Sequence, residues 1–241
     1  MRTLFDAARS RSLALWHRGS RRECPVCRSL LRGFSTFGRP PRRDARCPVC
    51  GAAERHRFVW LYLERKTDLF SGRRGRRVLH VAPEPCLEAR LRERLGADYV
   101  TADLFNPAML RMDITAIDQP DGSFDVIYCS HVLEHVSDDK QAMRELARVL
   151  APGGWAILLV PIIADHSHED PTVTDPRERE RRYGRNNHVR AYGPDYADRL
   201  RECGFEVAVT APADLVAGDD VVRFGLTPAA GFIHYCTKAG Q

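Results

Sequence analysis

The segment from Gly122 to Pro161, GSFDVIYCSHVLEHVSDDKQAMRELARVLAPGGWAILLVP, decides the fold of this chain. An apolar run from Phe124 to Cys129 predicts a buried strand, a helical pattern follows it, and a Pro-Gly-Gly turn leads into a second apolar run, Trp155 to Val160. Two buried strands joined by one helix lie parallel, and parallel sheets bind ligands beyond the carboxyl ends of their strands. Ser130 and His131 follow the first strand, so we expect them at such a site.

Neighbouring segments extend the same pattern. A strand at 78–81 leads into the sequence Ala-Pro-Glu-Pro-Cys, a strand at 98–102 ends in Asp103, and a third element ends in Asp113. Near the carboxyl end, strands at 205–210 and 231–237 predict an antiparallel hairpin. The fold class is therefore α/β: a Rossmann-like, doubly wound, mostly parallel sheet with a closing antiparallel hairpin. In such a sheet the strand ends line one crevice.

Four cysteines near the amino end form a separate pattern. Two Cys-Pro-Val-Cys knuckles supply Cys24, Cys27, Cys47 and Cys50, with 19 residues between them. Each knuckle brings two thiolates to one ion, and two knuckles complete a closed tetrahedral zinc site of structural type. The residues between the knuckles are too few and too polar for a core of their own. We therefore expect bound Zn²⁺ to supply most of this module's folding free energy.

Composition limits the remaining choices. With 241 residues, 44% of them hydrophobic, the chain accommodates one substantial core and a small appendage. Residues 1–77 carry a net charge of +14 and the rest −9. This basic head favours a phosphate-bearing partner such as nucleic acid. Solvated arginines explain the charge equally well, since 34 of the 37 basic residues are arginine.

The sequence also bears on location and domain organisation. It shows no apolar run of membrane-spanning length and no secretory signal pattern, so we expect a cytoplasmic protein without a membrane partner. The predicted domains are a flexible basic segment at 1–22, the zinc module with a docking helix at 23–71, and a catalytic domain at 72–241. Within the last domain, a long polar stretch at 162–192 is expected to form a substrate lid.

The region from Val78 to Lys238 resembles the class I S-adenosylmethionine-dependent methyltransferases, in the group that includes the quinone-biosynthesis methyltransferases. The matching pieces are VLHVAPEPCL, YVTADLF, RMDITAI, FDVIYCSHVLEHV and ARVLAPGGWAILLVP. Each piece is a weak signal alone, but five in the expected order are specific. The resemblance implies that S-adenosylmethionine is the cofactor, with Asp103 in the position of the ribose acid and Asp113 in that of the adenine contact.

Further cofactor contacts follow from the resemblance or from position beside these acids. The predicted set is His80, Ala82, Pro83, Glu84, Asp103, Leu104, Asp113, Ile114 and Ser130. The first loop departs from the family, because Ala82, Glu84 and two prolines stand where members carry a glycine-rich loop. We expect Glu84 to pair with the ammonium group of the cofactor instead.

The sequence contains fewer features that indicate the methyl acceptor than features that indicate the cofactor. Methyl transfer mainly requires alignment, and a base is needed only for a protonated acceptor. His131 and His188 are predicted as catalytic residues, while Asp165, Arg190 and Tyr192 are predicted to bind the acceptor. Three functions remain open. Our leading hypothesis is an enzyme that methylates a small molecule or biosynthetic intermediate. The alternatives are a ribosomal RNA methyltransferase whose basic zinc module binds RNA, and a non-catalytic zinc-dependent interaction protein.

Overall fold

The structure is a computed structural model that describes residues 12–72 and 75–240. Half of the predicted flexible segment 1–22, residues 1–11, therefore lies outside the described residues, and the first strand begins at Arg18. The described residues fall into two compact units. The first unit contains 12–72, Glu84–Leu95 and Ala211–Gly231, and the second contains 75–83, Gly96–Thr210 and 232–240. The boundaries of these two units differ from the domain boundary predicted near residue 71.

A seven-stranded sheet forms the centre of the second unit in the part of the chain that the structure describes. Its strands run in the order β12-β13-β9-β8-β5-β6-β7. The strands are β5 (Val78–Val81), β6 (Tyr99–Asp103), β7 (Leu110–Arg111), β8 (Phe124–Ser130), β9 (Leu150–Leu159), β12 (Phe205–Thr210) and β13 (Ile233–Lys238). The five strands from β5 to β9 pair in parallel, whereas β13 pairs antiparallel with β9 and with β12. The predicted fold class is confirmed, including the closing hairpin.

Strand order reverses between β5 and β8. From β5 the chain passes outward to β6 and β7, whereas β8 and β9 lie on the opposite side of β5. Ligands in open α/β sheets bind in the crevice at this reversal, beyond the carboxyl ends of the strands. Ala82 directly follows β5 and His131 directly follows β8, so both residues stand at the reversal.

One helix of the quoted segment, α3 (Asp139–Val149), has a clear physical origin. Asp138 caps its start by accepting a hydrogen bond from the Gln141 amide at 2.9 Å. Ala142, Met143 and Leu146 recur at helical spacing and are buried in the core of the sheet. The strand–helix–strand unit predicted from residues 122–161 is present.

The predicted lid at 162–192 contains regular structure. It forms two short paired strands, β10 (His168–Glu169) and β11 (Arg190–Ala191), with helix α4 (Pro176–Tyr183) between them. A small apolar cluster of its own buries Val173, Tyr183 and Ala191. The segment is followed by helix α5 (Tyr196–Arg201), which precedes β12.

The first unit combines three separated parts of the chain. Its strands are β1 (Arg18–Cys24), β2 (Ser29–Leu31), β3 (Ser35–Phe37) and β4 (Arg42–Arg46). Its helices are α1 (Glu54–Lys66), α2 (Pro85–Leu95), α6 (Pro212–Leu215) and α7 (Asp219–Phe224). No helix within 12–72 or 75–240 has both the length and the apolar character needed to cross a membrane.

Buried Arg57 ties these parts of the first unit together. Its guanidinium donates to the carbonyl oxygens of Ala45 and Ala52, beside the second cysteine knuckle, at 2.9 and 2.8 Å. It also donates to the carbonyl oxygens of Phe224 and Gly225 at 2.7 and 2.9 Å. Because a buried guanidinium must have its donors satisfied, these bonds fix the segment 211–231 within this unit.

Buried His234 on β13 should make the stability of the protein depend on pH. Burial, assisted by the positive charge of Arg201, lowers the pKa of His234 to about 4. An unfolded histidine binds a proton below about pH 6.5, but the folded one stays neutral down to about pH 4. The unfolded state therefore holds more protons in this window, so the free energy of unfolding falls as pH drops through it, by up to about 1.4 kcal/mol per pH unit.

The His234→Phe variant isolates this contribution. Urea unfolding at pH 7, 6, 5 and 4 should show a smaller loss of stability in the variant than in the unmodified protein. His168→Ala, at an exposed position, serves as the control and should retain the full pH dependence. Equal slopes for the unmodified protein and His234→Phe between pH 6 and 4.5 would contradict the assignment.

Candidate functional site

A cleft of about 880 Å³ lies at the carboxyl ends of the parallel strands in the second unit. Its size lies within the range of small-molecule and cofactor sites. Six residues predicted from the sequence to bind cofactor or to act in catalysis line this cleft: Ala82, Asp103, Leu104, Asp113, Ile114 and His131. The structure therefore brings together residues contributed by the ends of β5, β6 and β8 and by the segment after β7.

Asp103 ends β6 as a buried, ionised carboxylate. Its Oδ1 accepts hydrogen bonds from the Phe105 and Asn106 amides at 2.8 and 2.7 Å. Burial raises the pKa of Asp103, but these backbone bonds lower it more, so its pKa lies below the ordinary value. Oδ2 accepts only a 3.2 Å bond from the Asn106 side chain. This oxygen retains capacity to accept hydrogen bonds from a ligand.

Asp113 provides a second carboxylate on the wall of the same cleft. Its Oδ1 accepts from the amide and the hydroxyl of Thr115 at 2.9 and 2.7 Å, which forms a local turn. On either side of the exposed Asp113, Met112 and Ile114 are buried and hold the loop against the core. Polar and apolar groups thus alternate at this end of the cleft.

Two residues at the strand reversal have left-handed backbone conformations, which residues other than glycine rarely adopt. Ala82 has a φ of +49° and His131 a φ of +56°. Such left-handed conformations cost non-glycine residues on the order of 1 kcal/mol or more. Backbone hydrogen bonds maintain both turns, from the Ala82 amide to the Ala102 oxygen and from the His131 amide to the Leu159 oxygen, each at 2.8 Å. Ala82 thus occupies the conformation that glycine supplies elsewhere in the family that the sequence resembles.

His131 is oriented by a buried carboxylate. Its Nδ1 lies 3.1 Å from Oε1 of Glu134, and both residues belong to the segment that follows β8. Burial raises the pKa of Glu134, but the hydrogen bond and the charge of His131 lower it more, so the pKa lies below its ordinary value. Nδ1 donates to this carboxylate, so Nε2 is the ring nitrogen of His131 that remains for another partner.

Four predicted cofactor residues do not line the cleft. His80 is buried within β5, where its Nδ1 contacts the Tyr99 hydroxyl at 2.6 Å. Pro83 and Ser130 lie beside lining residues without belonging to the cleft wall. Glu84 is part of the first unit, and its carboxylate lies 3.6 Å from Nε2 of His56. The expected contact of Glu84 with a cofactor ammonium group stays a prediction.

The predicted acceptor-binding residues also lie outside the cleft wall. Arg190 is only 2% exposed and donates to Glu169 and to the backbone oxygens of Leu133, Val136 and Ser137. The Tyr192 hydroxyl donates to buried Asp139 at 2.5 Å, and burial is the main reason that its pKa is raised. Asp165 is exposed and does not line the cleft. The guanidinium of Arg190 is fully used by this internal network.

His188, predicted to be catalytic, is 5% exposed and likewise does not line the cleft. Its Nδ1 lies 2.8 Å from the Tyr183 carbonyl oxygen. Burial is the main reason that the pKa of His188 is lowered, so the imidazole is neutral at pH 7. Its ring packs edge-on against that of His135, with 4.8 Å between the ring centroids.

Several residues of the cleft wall carried no recognised signal in the sequence. Phe105, Asn106 and Thr115 follow strand ends in the chain, whereas Gln141 lies in α3 and Asn187 precedes β11. Phe105 is 89% exposed, which is unusual for a phenylalanine and marks it as apolar surface open to a ligand. Phe105, Asn106 and Thr115 could have been predicted from the sequence only because they lie close to Asp103 and Asp113 in the chain.

The four knuckle cysteines come together in the first unit. Their sulfurs all lie within 4.8 Å of one another, with Cys24 and Cys50 at 3.6 Å and Cys27 and Cys47 at 3.7 Å. Tetrahedral zinc with Zn–S bonds of about 2.3 Å requires sulfur–sulfur separations of about 3.8 Å. The quartet therefore fits a zinc ion, and it leaves no coordination position open.

The two knuckles have matching backbones. The amide after each second cysteine donates back to the first, Arg28 to Cys24 at 2.8 Å and Gly51 to Cys47 at 2.9 Å. Both donors have left-handed φ values, +59° for Arg28 and +81° for Gly51. Glycine adopts this conformation freely, whereas Arg28 is strained and is maintained by the knuckle.

Comparison with known proteins shows what part of the chain is similar to. Residues 65–158 match the methyltransferase domain family. This stretch is therefore similar to a methyltransferase domain. It contains the loop after β5, both cleft carboxylates and the His131–Glu134 pair, so the family match covers the site described above.

Named relatives of the methyltransferase domain act in different pathways. The chain is 32% identical over 100 residues to a ubiquinone biosynthesis O-methyltransferase from Albidiferax ferrireducens, covering 34% of this chain and 39% of that protein. It is 32% identical over 113 residues to a demethylmenaquinone methyltransferase from Thermus thermophilus, covering 39% and 51%. The chain spans about a fifth to about half of the length of the curated relatives that it matches.

Solved structures of methyltransferases are similar at greater distance. One is an S-adenosylmethionine-dependent methyltransferase from Mesorhizobium loti. It is 15% identical with a TM-score of 0.49, and the match covers 74% of this chain and 97% of that one.

Replacing one knuckle cysteine should remove a tightly held zinc ion. We expect the purified protein to retain one zinc per chain after dialysis against metal-free buffer without a strong chelator, because structural sites bind zinc with about 10–16 kcal/mol. Cys24→Ser should lose this zinc and melt at a lower temperature, whereas Cys203→Ser, at a buried cysteine outside the quartet, should keep it. Metal analysis by mass spectrometry gives the stoichiometry. Equal zinc content in the two variants would rule out the site.

Proposed function

We propose that the protein transfers the methyl group of S-adenosylmethionine to a small-molecule acceptor. The observation that carries this proposal is the placement of Asp103 and Asp113 in one cleft, after the adjacent parallel strands β6 and β7. Both carboxylates lie within the stretch that matches the methyltransferase domain family. Carboxylates at these positions suit the hydroxyl and amino donors of an adenosine group.

The cleft residues fit such a cofactor. Oδ2 of Asp103 has capacity to accept hydrogen bonds from ribose hydroxyls, since its other oxygen already serves two backbone amides. Asp113 would accept from the adenine amino group, and exposed Phe105 with Ile114 offers apolar surface for the base. Ala82, with its left-handed backbone, supports close approach of the chain to the cofactor.

Methyl transfer places modest demands on the protein. The bound cofactor supplies a methyl group on a positively charged sulfur, which makes it a good leaving group. The protein has to hold the acceptor in line with that methyl group and exclude water. We assign His131 to the acceptor side, because it follows β8, lines the cleft and uses Nδ1 rather than Nε2 to contact Glu134.

Two observations support a small acceptor. The cleft of about 880 Å³ is of the size that holds a cofactor together with a small molecule, rather than an extended polymer surface. The names of the similar proteins include ubiquinone biosynthesis O-methyltransferase and ajmaline N-methyltransferase, both of which refer to small molecules.

Replacing Asp103 should weaken cofactor binding without unfolding the domain. In Asp103→Asn the side-chain oxygen can still accept from the backbone amides, but the charged acceptor for the ribose is lost. A charge-assisted hydrogen bond is worth about 1.5–3 kcal/mol, so we expect the dissociation constant for S-adenosylmethionine to rise by about tenfold to a hundredfold. Isothermal titration calorimetry measures the change.

A matched control comes from the same region of the chain. Asp118 is exposed and does not line the cleft, so Asp118→Asn should bind the cofactor like the unmodified protein. Equal affinities for Asp103→Asn and Asp118→Asn would contradict the assignment of Asp103.

The acceptor class can be determined by incubating the protein with methyl-labelled S-adenosylmethionine and fractionated cell extract. We expect label in the small-molecule fraction, and less of it with Asp103→Asn. Label in RNA would replace this proposal with an RNA methyltransferase. Cofactor binding that is undetectable at millimolar concentration, together with unlabelled fractions, would instead favour a zinc-dependent interaction protein.

A further inference from the structure

Three potential metal ligands meet beside the cleft. One ligand atom each from Glu134, His135 and His188 lies within 4.8 Å of the other two. All three residues belong to the second unit, and they are separate from the cysteine quartet of the first. His135 also lines the cleft, so this cluster reaches the cleft wall.

Backbone contacts determine which nitrogen of each histidine is free. Nδ1 of His188 lies 2.8 Å from the Tyr183 carbonyl oxygen, and Nδ1 of His135 lies 3.1 Å from that of Asn187. A carbonyl oxygen can only accept, so in both rings Nδ1 carries the proton. Nε2 is then the ring nitrogen of each histidine that remains for a metal ion. Metal-binding histidines are typically held in this way by a carbonyl oxygen on the other ring nitrogen.

Glu134 contributes an unsatisfied buried oxygen. The residue is 1% exposed, and its Oε1 is engaged by His131. Oε2 is buried and has no hydrogen-bond partner among the described residues. Leaving a buried carboxylate oxygen unpaired is costly, so such an atom indicates a missing partner. The cluster thus gathers three electron-pair donors with no proton between them.

We propose that Glu134, His135 and His188 bind one divalent transition-metal ion. Two imidazoles and one carboxylate suit borderline ions such as Zn²⁺, Co²⁺ or Mn²⁺. Three protein ligands leave at least one coordination position open, as in catalytic rather than structural sites. A cation held here would satisfy the buried oxygen of Glu134 and one ring nitrogen of each histidine. This site goes beyond the proposed methyl transfer, because its occupation requires neither cofactor nor acceptor.

Cobalt provides a direct probe of this site. The protein is first dialysed against metal-free buffer without a strong chelator, so that the cysteine quartet keeps its zinc, and is then titrated with Co²⁺. We expect uptake of one Co²⁺ per chain with weak visible bands that lack thiolate-to-cobalt charge transfer. Absorption that shows only thiolate-bound cobalt would place the ion on the quartet and overturn the proposal.

Variants assign the ligands. His135 is exposed, so His135→Ala should fold normally and weaken Co²⁺ binding by more than about tenfold. Glu134→Gln and His188→Gln should do the same, with circular dichroism to verify folding. His168→Ala, an exposed histidine outside the cluster, is the matched control. Unchanged Co²⁺ affinity in His135→Ala, or absence of uptake by the unmodified protein, would show a polar cluster without a metal.

A second readout is independent of absorption. Co²⁺ or Zn²⁺ bound to the folded state should raise the melting temperature of the protein whose quartet already holds zinc. The same addition should leave His135→Ala unchanged. A failure of these metal experiments leaves the cofactor titration with Asp103→Asn unaffected, so the two proposals can be rejected separately.

Discussion

The parallel pairing of β5, β6, β7 and β8 is the constraint on which the second unit depends. Parallel strands in a sheet of this kind are buried, so their apolar side chains leave little room for chemistry along their length. Polar groups can be placed only where the strands end. Asp103, Asp113 and His131 accordingly share one cleft, although they are separated in the sequence.

The reversal of strand order adds backbone strain to this edge. Ala82 and His131 both follow the strands at the reversal, and both have left-handed φ values that favour glycine. The surrounding sheet stabilises these conformations through backbone hydrogen bonds to the neighbouring strands. Strain of this kind concentrates where the chain must approach a ligand closely, which agrees with the position of both residues in the cleft wall.

Two buried polar groups near the cleft, Arg190 and Glu134, differ in how fully their hydrogen-bonding capacity is satisfied. Arg190 is fully paired with carboxylates and carbonyl oxygens, so it stabilises the segment after α4 rather than offering a free cation. Glu134 is only half satisfied, with Oε1 bonded to His131 and Oε2 unpaired. This contrast separates a structural network from a site that has room for a cation.

Residue types alone could not distinguish these two cases. Arg190 and His188 both occur in a polar stretch of the sequence, which favoured a substrate lid. In the structure the stretch has its own apolar cluster and paired strands, and both side chains point to internal partners. Local composition does not reveal which long-range carbonyl oxygens will satisfy a guanidinium or an imidazole.

The sequence by itself determined the strand–helix–strand unit, the parallel sheet with its closing hairpin, the cysteine quartet and the two carboxylates of the cleft. These features depend on periodicity, spacing and position at strand ends, which are properties of neighbouring residues. Only the tertiary structure paired Glu84 with His56, moved the segment 211–231 into the first unit and brought His188 next to Glu134 and His135. These contacts join distant parts of the chain, and they are decided by which buried polar groups must find partners once the core has packed.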